Sequence, residues 1–268
     1  MGLLTPFLKR RFMGKKLGNK RKKNEVTPER WDVLVCTPAY DGKVDCSFSQ
    51  SLAESAFCSP LYGIKMNASV MSNSAFIDLG RNIFVKIFLE QFPEATHLFF
   101  IDSDLKWLPN AFVGLIRAGL PICAGVYRRR QEPEDYPAKW TEHESGGLWM
   151  DDNWIMHDRV PTGFLCISRK VLEEMSKEAV QMNIFGQEGT VPRLFYTRLD
   201  EENKFVGEDF CFCDDYVKKY KKPIPVWPNI DVTHGGYDGN YYEYLGKKID
   251  EEKAAASNGS TDSSTSAA

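Results

Sequence analysis

His97-Leu98-Phe99-Phe100-Ile101-Asp102-Ser103-Asp104 reads as a buried strand with a charged mouth. Its apolar core is too short for a buried helix and rich in aromatic and β-branched residues, so it predicts a strand covered on both faces. Helical spacing over Ala75–Phe92, closed by Pro93, precedes it, and Pro109 opens a second helix through Ala118 after it. Further out, Asp32–Thr37, ended by Pro38, predicts a first buried strand, Ser49–Phe57 is weakly helical, and Tyr62–Val70 alternates like a second strand. Pro121–Val126 is another buried strand. This β-α-β order predicts an α/β fold: a mostly parallel, Rossmann-like central sheet flanked by helices on both faces. The second half is less regular. It predicts short strands near 146–157 and 161–168, a helix from about 169 to 178, an irregular stretch to about 203, a helix from Glu208 to Lys219, and strand segments at 224–233. Residues 31–250 read as a single continuous domain whose front half ends near 130.

The composition supports such a domain. Of 268 residues, 43% are hydrophobic and 26% charged, which excludes global disorder. No run approaches the roughly 18 consecutive apolar residues that span a bilayer. Lys9, Arg10 and Arg11 interrupt the short apolar start, so no secretory leader is read, and Pro6 stands where a myristoylation signal needs Ser or Thr. Seven cysteines, at 36, 46, 58, 123, 166, 211 and 213, form no Cys-x-x-Cys pair, which argues against a disulfide framework and predicts a cytoplasmic protein. The net charge of −3 hides an asymmetry: residues 1–23 carry nine Lys or Arg and no acid, leaving the other 245 residues at −12. Residues 1–30 therefore read as a basic arm. Leu3, Leu4, Phe7, Leu8, Phe12 and Met13 give it an apolar face suited to peripheral membrane contact, with a solvated tail as the alternative. Residues 251–268 end in low-complexity sequence and are expected to be a disordered tail.

In open α/β sheets, ligands bind beyond the carboxyl ends of the strands. Two predicted strands end there in polar residues: Thr37-Pro38-Ala39-Tyr40-Asp41 and Asp102-Ser103-Asp104. Paired acids at a strand mouth cost free energy unless a cation or a hydrogen-bonding ligand compensates them. Oxygen ligands suit Mg2+ or Mn2+, ions that usually share their shell with substrate phosphates. The alternative is that these acids cap the next helix or lie in a solvated loop.

Four motifs in this order resemble the GT-A glycosyltransferases, family 2-like members included, over roughly residues 32–237. They are Thr37-Pro38-Ala39-Tyr40 after the first strand; Gly80-Arg81-Asn82 ahead of an Asp-x-Asp motif at Asp102-Ser103-Asp104; Val160-Pro161-Thr162-Gly163-Phe164; and Gly207-Glu208-Asp209 opening a helix, with His234 beyond it. The resemblance implies a metal-dependent transfer of sugar from a nucleotide-diphosphate donor, UDP before GDP, to a hydroxyl of a glycan, protein or lipid-linked acceptor, with inversion. It assigns Mn2+ or Mg2+ to Asp102, Asp104 and His234. Donor contacts fall to Thr37, Pro38, Ala39, Tyr40, Asp41, Arg81, Asp102 and Ser103. Asp209 would be the general base, and Glu208 would bind an acceptor hydroxyl; the bland alternative is that both acids serve only the helix dipole. Tyr127-Arg128-Arg129-Arg130 is a basic run that suits a diphosphate or a charged acceptor, or else a solvated loop. Lys139, Trp140, Trp149 and Trp154 fall in the segment expected to shape the acceptor side.

Two other classes compete. A sugar-nucleotide pyrophosphorylase needs a glycine-rich, arginine-bearing phosphate loop after the first strand, and Pro38-Ala39-Tyr40 is a poor substitute. A polyanion-binding protein working through its basic arm would carry a body of the wrong sign, so no specific nucleic acid is expected.

Overall fold

The computed structural model describes residues 30–72, 75–144, 147–186 and 188–259. Residues 1–29 of the expected arm at 1–30, and residues 260–268 of the expected tail at 251–268, lie outside these residues. In chain order the strands are β1 (Trp31–Ala39), β2 (Ile64–Ser72), β3 (His97–Ile101), β4 (Leu105–Trp107), β5 (Ile122–Ala124), β6 (Lys139–Trp140), β7 (Met150–Asp151) and β8 (Trp154–Arg159). They continue as β9 (Phe164–Ser168), β10 (Gln181–Asn183), β11 (Thr190–Pro192), β12 (Arg198–Leu199), β13 (Phe205–Val206), β14 (Ile224–Val226) and β15 (Val232–His234). The helices are α1 (Cys46–Cys58), α2 (Ile77–Gln91), α3 (Pro109–Arg117), α4 (Arg169–Glu178), α5 (Glu208–Tyr220) and α6 (Tyr241–Gly259).

The central sheet runs β2-β1-β3-β9-β5-β14-β8-β6, with β7 also on β8. It is mixed, which corrects the mostly parallel expectation. β1 is parallel to β2 and β3, and β14 is parallel to β5. Between β3 and β5, however, lies β9, antiparallel to both. The crossover through α3 does return β5 in the direction of β3, but one strand further out. The vacant central slot suits Phe164–Ser168, whose first four residues are buried, and a strand arriving antiparallel needs no crossover helix.

Side chains alternate across this sheet with period two. Leu34, Cys36, Leu98, Phe100, Leu165 and Ile167 face one core, closed by Phe84 and Phe88 of α2, Leu172 of α4, Phe212 of α5 and Tyr241 of α6. Val33, Val35, Phe99, Ile101, Phe164 and Cys166 face the other, closed by Phe48 of α1 and Phe112 of α3. The resulting α/β/α sandwich explains why β3 is buried along its whole length. Helix α6 corrects the tail boundary, because it carries the chain past residue 251 to Gly259. Glu251-Glu252-Lys253-Ala254-Ala255-Ala256 consists of strong helix formers that extend a helix already anchored by Tyr241 and Leu245. All seven cysteines are free. Among the described residues, no helix is long and apolar enough to cross a membrane.

Candidate functional site

Strands β1 and β3 run side by side in register from Val33↔His97 to Cys36↔Phe100, so the chain leaves both into one crevice. There the backbone N–H of Asp45, beyond β1, donates to the Ser103 carbonyl at 2.9 Å and ties the two loops together. Thr37 is buried, and its hydroxyl has no hydrogen-bond partner among the described residues. Ala39 is buried too, whereas Tyr40 is 75% exposed. Asp41 stays at the surface beside Lys43, whose backbone N–H donates to it and holds its carboxyl below the usual range.

The acids of the Asp-x-Asp motif part company. A turn closes between the Asp102 carbonyl and Leu105 N–H at 3.3 Å. The Asp102 carboxylate is then gripped from two sides: Arg81 Nη2 donates to Oδ1 and Tyr127 Oη donates to Oδ2, both at 3.2 Å. Arg81 is only 3% exposed. Its guanidinium sits 5.7 Å from the centre of the Phe100 ring, and its Nε lies 3.7 Å from Glu208 Oε1. Nε and Nη1 make no hydrogen bond among the described residues, nor does the buried Thr162 hydroxyl. Buried donors without partners are uncommon and point to groups that a ligand can satisfy. Gly163 closes this corner, since a Cβ there would stand 2.2 Å from Asp102 Oδ2.

Asp104 turns the other way. Strand β4 pairs with β15 so that His234 lies opposite Leu105, and Gly235 N–H donates to the Asp104 carbonyl at 3.0 Å. His234 Nε2 approaches Asp104 Oδ2 at 3.3 Å, and Arg130 Nη1 reaches the same oxygen at 2.9 Å. His234 Nδ1 lies 3.0 Å from the Arg128 carbonyl, which can only accept, so Nδ1 carries the proton there. The Tyr127 ring packs edge-on against the imidazole with centroids 5.0 Å apart. Burial alone would raise the Asp104 pKa, but His234 and Arg130 together hold it below the ordinary carboxylate value. Gly235, at φ +54°, leaves room for the Arg130 stem, since a Cβ would fall 2.5 Å from Arg130 Cδ.

Glu208 and Asp209 form the first turn of α5, entered from Gly207. Burial and then the neighbouring Glu208 charge push Asp209 up to about 6, although Phe210 N–H donates to its Oδ1 at 2.8 Å. A carboxylate so tuned can accept a proton near neutral pH.

The structure therefore gathers Asp102, Arg81 and Glu208 into one chain of ion pairs, and Asp104 with His234 into a second group. Asp102 faces Arg81 and Tyr127 rather than His234. The basic run divides its labour: Tyr127 serves Asp102, Arg128 donates to the Asp238 carbonyl, Arg129 pairs with Asp135, and Arg130 with Asp104. The sequence reading missed the Tyr127 and Thr162 roles. The signal for Tyr127 was its place directly after the third buried strand, at the same sheet edge as both acids. Among the described residues no three His, Cys, Asp or Glu side chains form a ready-made metal cluster.

No family model and no curated protein matches the chain. Among solved structures it is similar to GalNAc-T7 with UDP, GalNAc and Mn2+, at 9% identity and a TM-score of 0.40, covering 77% of this chain and 44% of that one. It is also similar to a glycosyltransferase involved in the glycosylation of the major capsid of PBCV-1, at 11% identity and a TM-score of 0.32, covering 53% and 62%. The chain thus spans less than two thirds of the length of either protein.

Proposed function

We propose that this chain is a metal-dependent glycosyltransferase that moves a sugar from a nucleotide-diphosphate donor, UDP before GDP, to an acceptor hydroxyl with inversion. One observation supports this most: His234, fixed through its Nδ1–H to the Arg128 carbonyl, places Nε2 3.3 Å from Asp104 Oδ2. An imidazole fixed by a backbone carbonyl, beside a carboxylate, is an ordinary ligand pair for Mn2+ or Mg2+. Only two protein ligands face each other, which suits ions that fill their shell with water and substrate phosphates. Bound between Asp104 and His234, such an ion would offset the negative charge that grows on the leaving diphosphate.

The remaining roles belong to the chain itself. Thr37, Pro38, Ala39, Tyr40 and Asp41 line the base and ribose side, with the exposed Tyr40 ring free to stack. Asp102, fixed by Arg81 and Tyr127, faces the ribose, and Ser103 holds the two loops together. Asp209 takes the proton of the attacking hydroxyl, and Glu208, beside Arg81, orients that hydroxyl. The front half to about residue 130 holds the nucleotide sugar. The back half holds a glycan, protein or lipid-linked acceptor. Residues 1–23 offer the domain a cationic, apolar-faced contact with a membrane surface on the cytoplasmic side.

Calorimetric titration of UDP with Mn2+ into the parent and Asp104→Ala tests this. We expect binding in the parent and loss of the Mn2+-dependent part in the variant, with an unchanged unfolding profile. Equal affinity in the two would remove the site.

A further inference from the structure

We propose that the cleft between β6, the end of β8 and the carboxyl end of α5 binds an anionic stretch of the acceptor, a sugar chain that bears carboxylates or sulfates. This rests on the reading of Asp209 as the acceptor end of the site. The cleft measures about 620 Å3 and is lined by Lys139, Trp149, Arg159, Lys218, Lys221 and Lys222. That volume lies within the roughly 300–1,000 Å3 of ordinary ligand clefts and exceeds what one bound ion needs.

Its two carboxylates are already committed. Asp158 accepts from the Thr141 hydroxyl at 2.8 Å and lies 4.0 Å from Lys139 Nζ. Asp214 is held by Arg159 at 2.7 and 2.9 Å and by Arg198 at 2.6 Å. Lys218, Lys221 and Lys222 keep no ion-pair partner among the described residues, whereas their neighbour Lys219 is paired with Glu178. Three lysines with no ion-pair partner among the described residues thus line one cleft, in a sequence whose net charge outside residues 1–23 is −12. Like charges on one helix end repel one another, and an anion relieves that. Lys221 is also held at φ +52°, a left-handed conformation that costs a non-glycine residue free energy.

The fourth wall is aromatic. Trp149 is 38% exposed, and its ring stands nearly perpendicular to that of His143, with centroids 6.3 Å apart. An indole beside hydroxyl and ammonium donors suits a sugar ring, apolar on its face and polar at its rim. The position fits as well. At 1.5 Å of rise per residue, α5 places Lys218 about 14 Å along its axis from Asp209, and Arg159 leads directly into Val160-Pro161-Thr162-Gly163 beside Asp102. A chain whose terminal hydroxyl met Asp209 would lay its next few rings toward this cleft.

Isothermal titration of the full chain with a galacturonate tetramer, a heparin-derived tetrasaccharide and neutral maltotetraose tests the proposal. Both charged probes should bind more tightly than maltotetraose and weaken with salt. The Lys218→Gln, Lys221→Gln, Lys222→Gln triple variant should lose about 3- to 100-fold toward the charged probes, the range for three exposed charge contacts, while UDP–Mn2+ binding stays at the parent value. In the parent, bound galacturonate should protect these three lysines from acetylation, a readout that needs no variant. Tighter binding of galacturonate than of the sulfated probe would assign carboxylates, and the reverse would assign sulfates. Equal binding by parent and triple variant, with acetylation unaffected, would place polyanion binding on the amino-terminal arm and overturn the cleft. Charged probes that bind as predicted to a chain that ignores UDP and Mn2+ would instead overturn the transferase reading and leave the cleft standing.

Discussion

Gly163→Ala should disturb Asp102 by sterics alone. The new Cβ would stand 2.1 Å from Tyr127 Oη and 2.2 Å from Asp102 Oδ2, far inside the roughly 3.5 Å of a relaxed contact. Neither atom retreats freely. Tyr127 is buried with its ring edge-on to His234, and Asp102 is held by Arg81 through its other oxygen and by the Gly163 carbonyl through its backbone N–H. Overpacking of this kind costs about 1–3 kcal/mol, a fall in Tm of about 2–12 °C for a chain of this size. Displacing Asp102 also removes a charged hydrogen bond from the proposed ribose contact, so UDP affinity in the presence of Mn2+ should fall about tenfold or more. Gly246→Ala is the matched control. Nothing lies within 4 Å of a Cβ there, and alanine inside α6 should gain up to about 1 kcal/mol. Differential scanning calorimetry and UDP titration on the three proteins give both numbers. If Gly163→Ala melts with the parent and binds UDP as tightly, the corner that holds Asp102 is not closed as described.

Four further outcomes follow from the structure. Asp209 binds its proton more tightly in the fold, at about 6, than in the unfolded chain, at roughly 3.9, so its ionised form costs stability above pH 6 and the cost disappears below about pH 4. Asp209→Asn should therefore melt above the parent at pH 7.5 and with it at pH 4, while transfer falls about 10²–10⁴-fold; near-normal turnover would make Asp209 only a helix-start acid. Arg130→Ala removes the guanidinium that shares Asp104 Oδ2, so Mn2+ without nucleotide should bind several-fold more tightly by calorimetry, and weaker binding would make Arg130 a helper rather than a competitor. His97 and His157 are held at about 4 by burial, so their contribution is complete above about pH 6.5 and lost as pH falls toward 4. Two such histidines outweigh the opposite trend of Asp209, and Tm should drop between pH 7 and 4.5. Tyr241→Phe leaves His157 Nε2 without its 2.6 Å donor and should cost about 1–3 kcal/mol at pH 7; an unchanged Tm would count against that bond.

What could be read from the sequence was local. The β3 run and the helix opened by Glu208 stand where expected, because apolar periodicity, proline stops and acidic first turns are each encoded within a few residues. The place of β9 was not legible. Phe164–Ser168 would look the same in either direction, and only its partners fix it between β3 and β5 as an antiparallel insert. The tail boundary failed for a related reason. Low-complexity sequence from Ala254 onward says little about a helix that is nucleated upstream, where Tyr241 and Leu245 dock in the core.

The site shows the same division at higher resolution. By resemblance, Asp104 is expected on the metal and Asp102 on the ribose or the metal, and residues two apart on a continued strand would point to one face. The turn between Asp102 and Leu105 breaks that alternation. Each acid thereby acquires cationic or hydrogen-bonding partners of its own, Arg81 and Tyr127 for one, Arg130 and His234 for the other. Two carboxylates separated by a single serine thus do not share one counter-charge. His234 comes to this place from 130 residues downstream through β4 and β15, strands of three residues each, too short for any alternation to announce. Sequence thus supplied the residue types of the site, and the sheet edge decided which carboxylate meets the histidine.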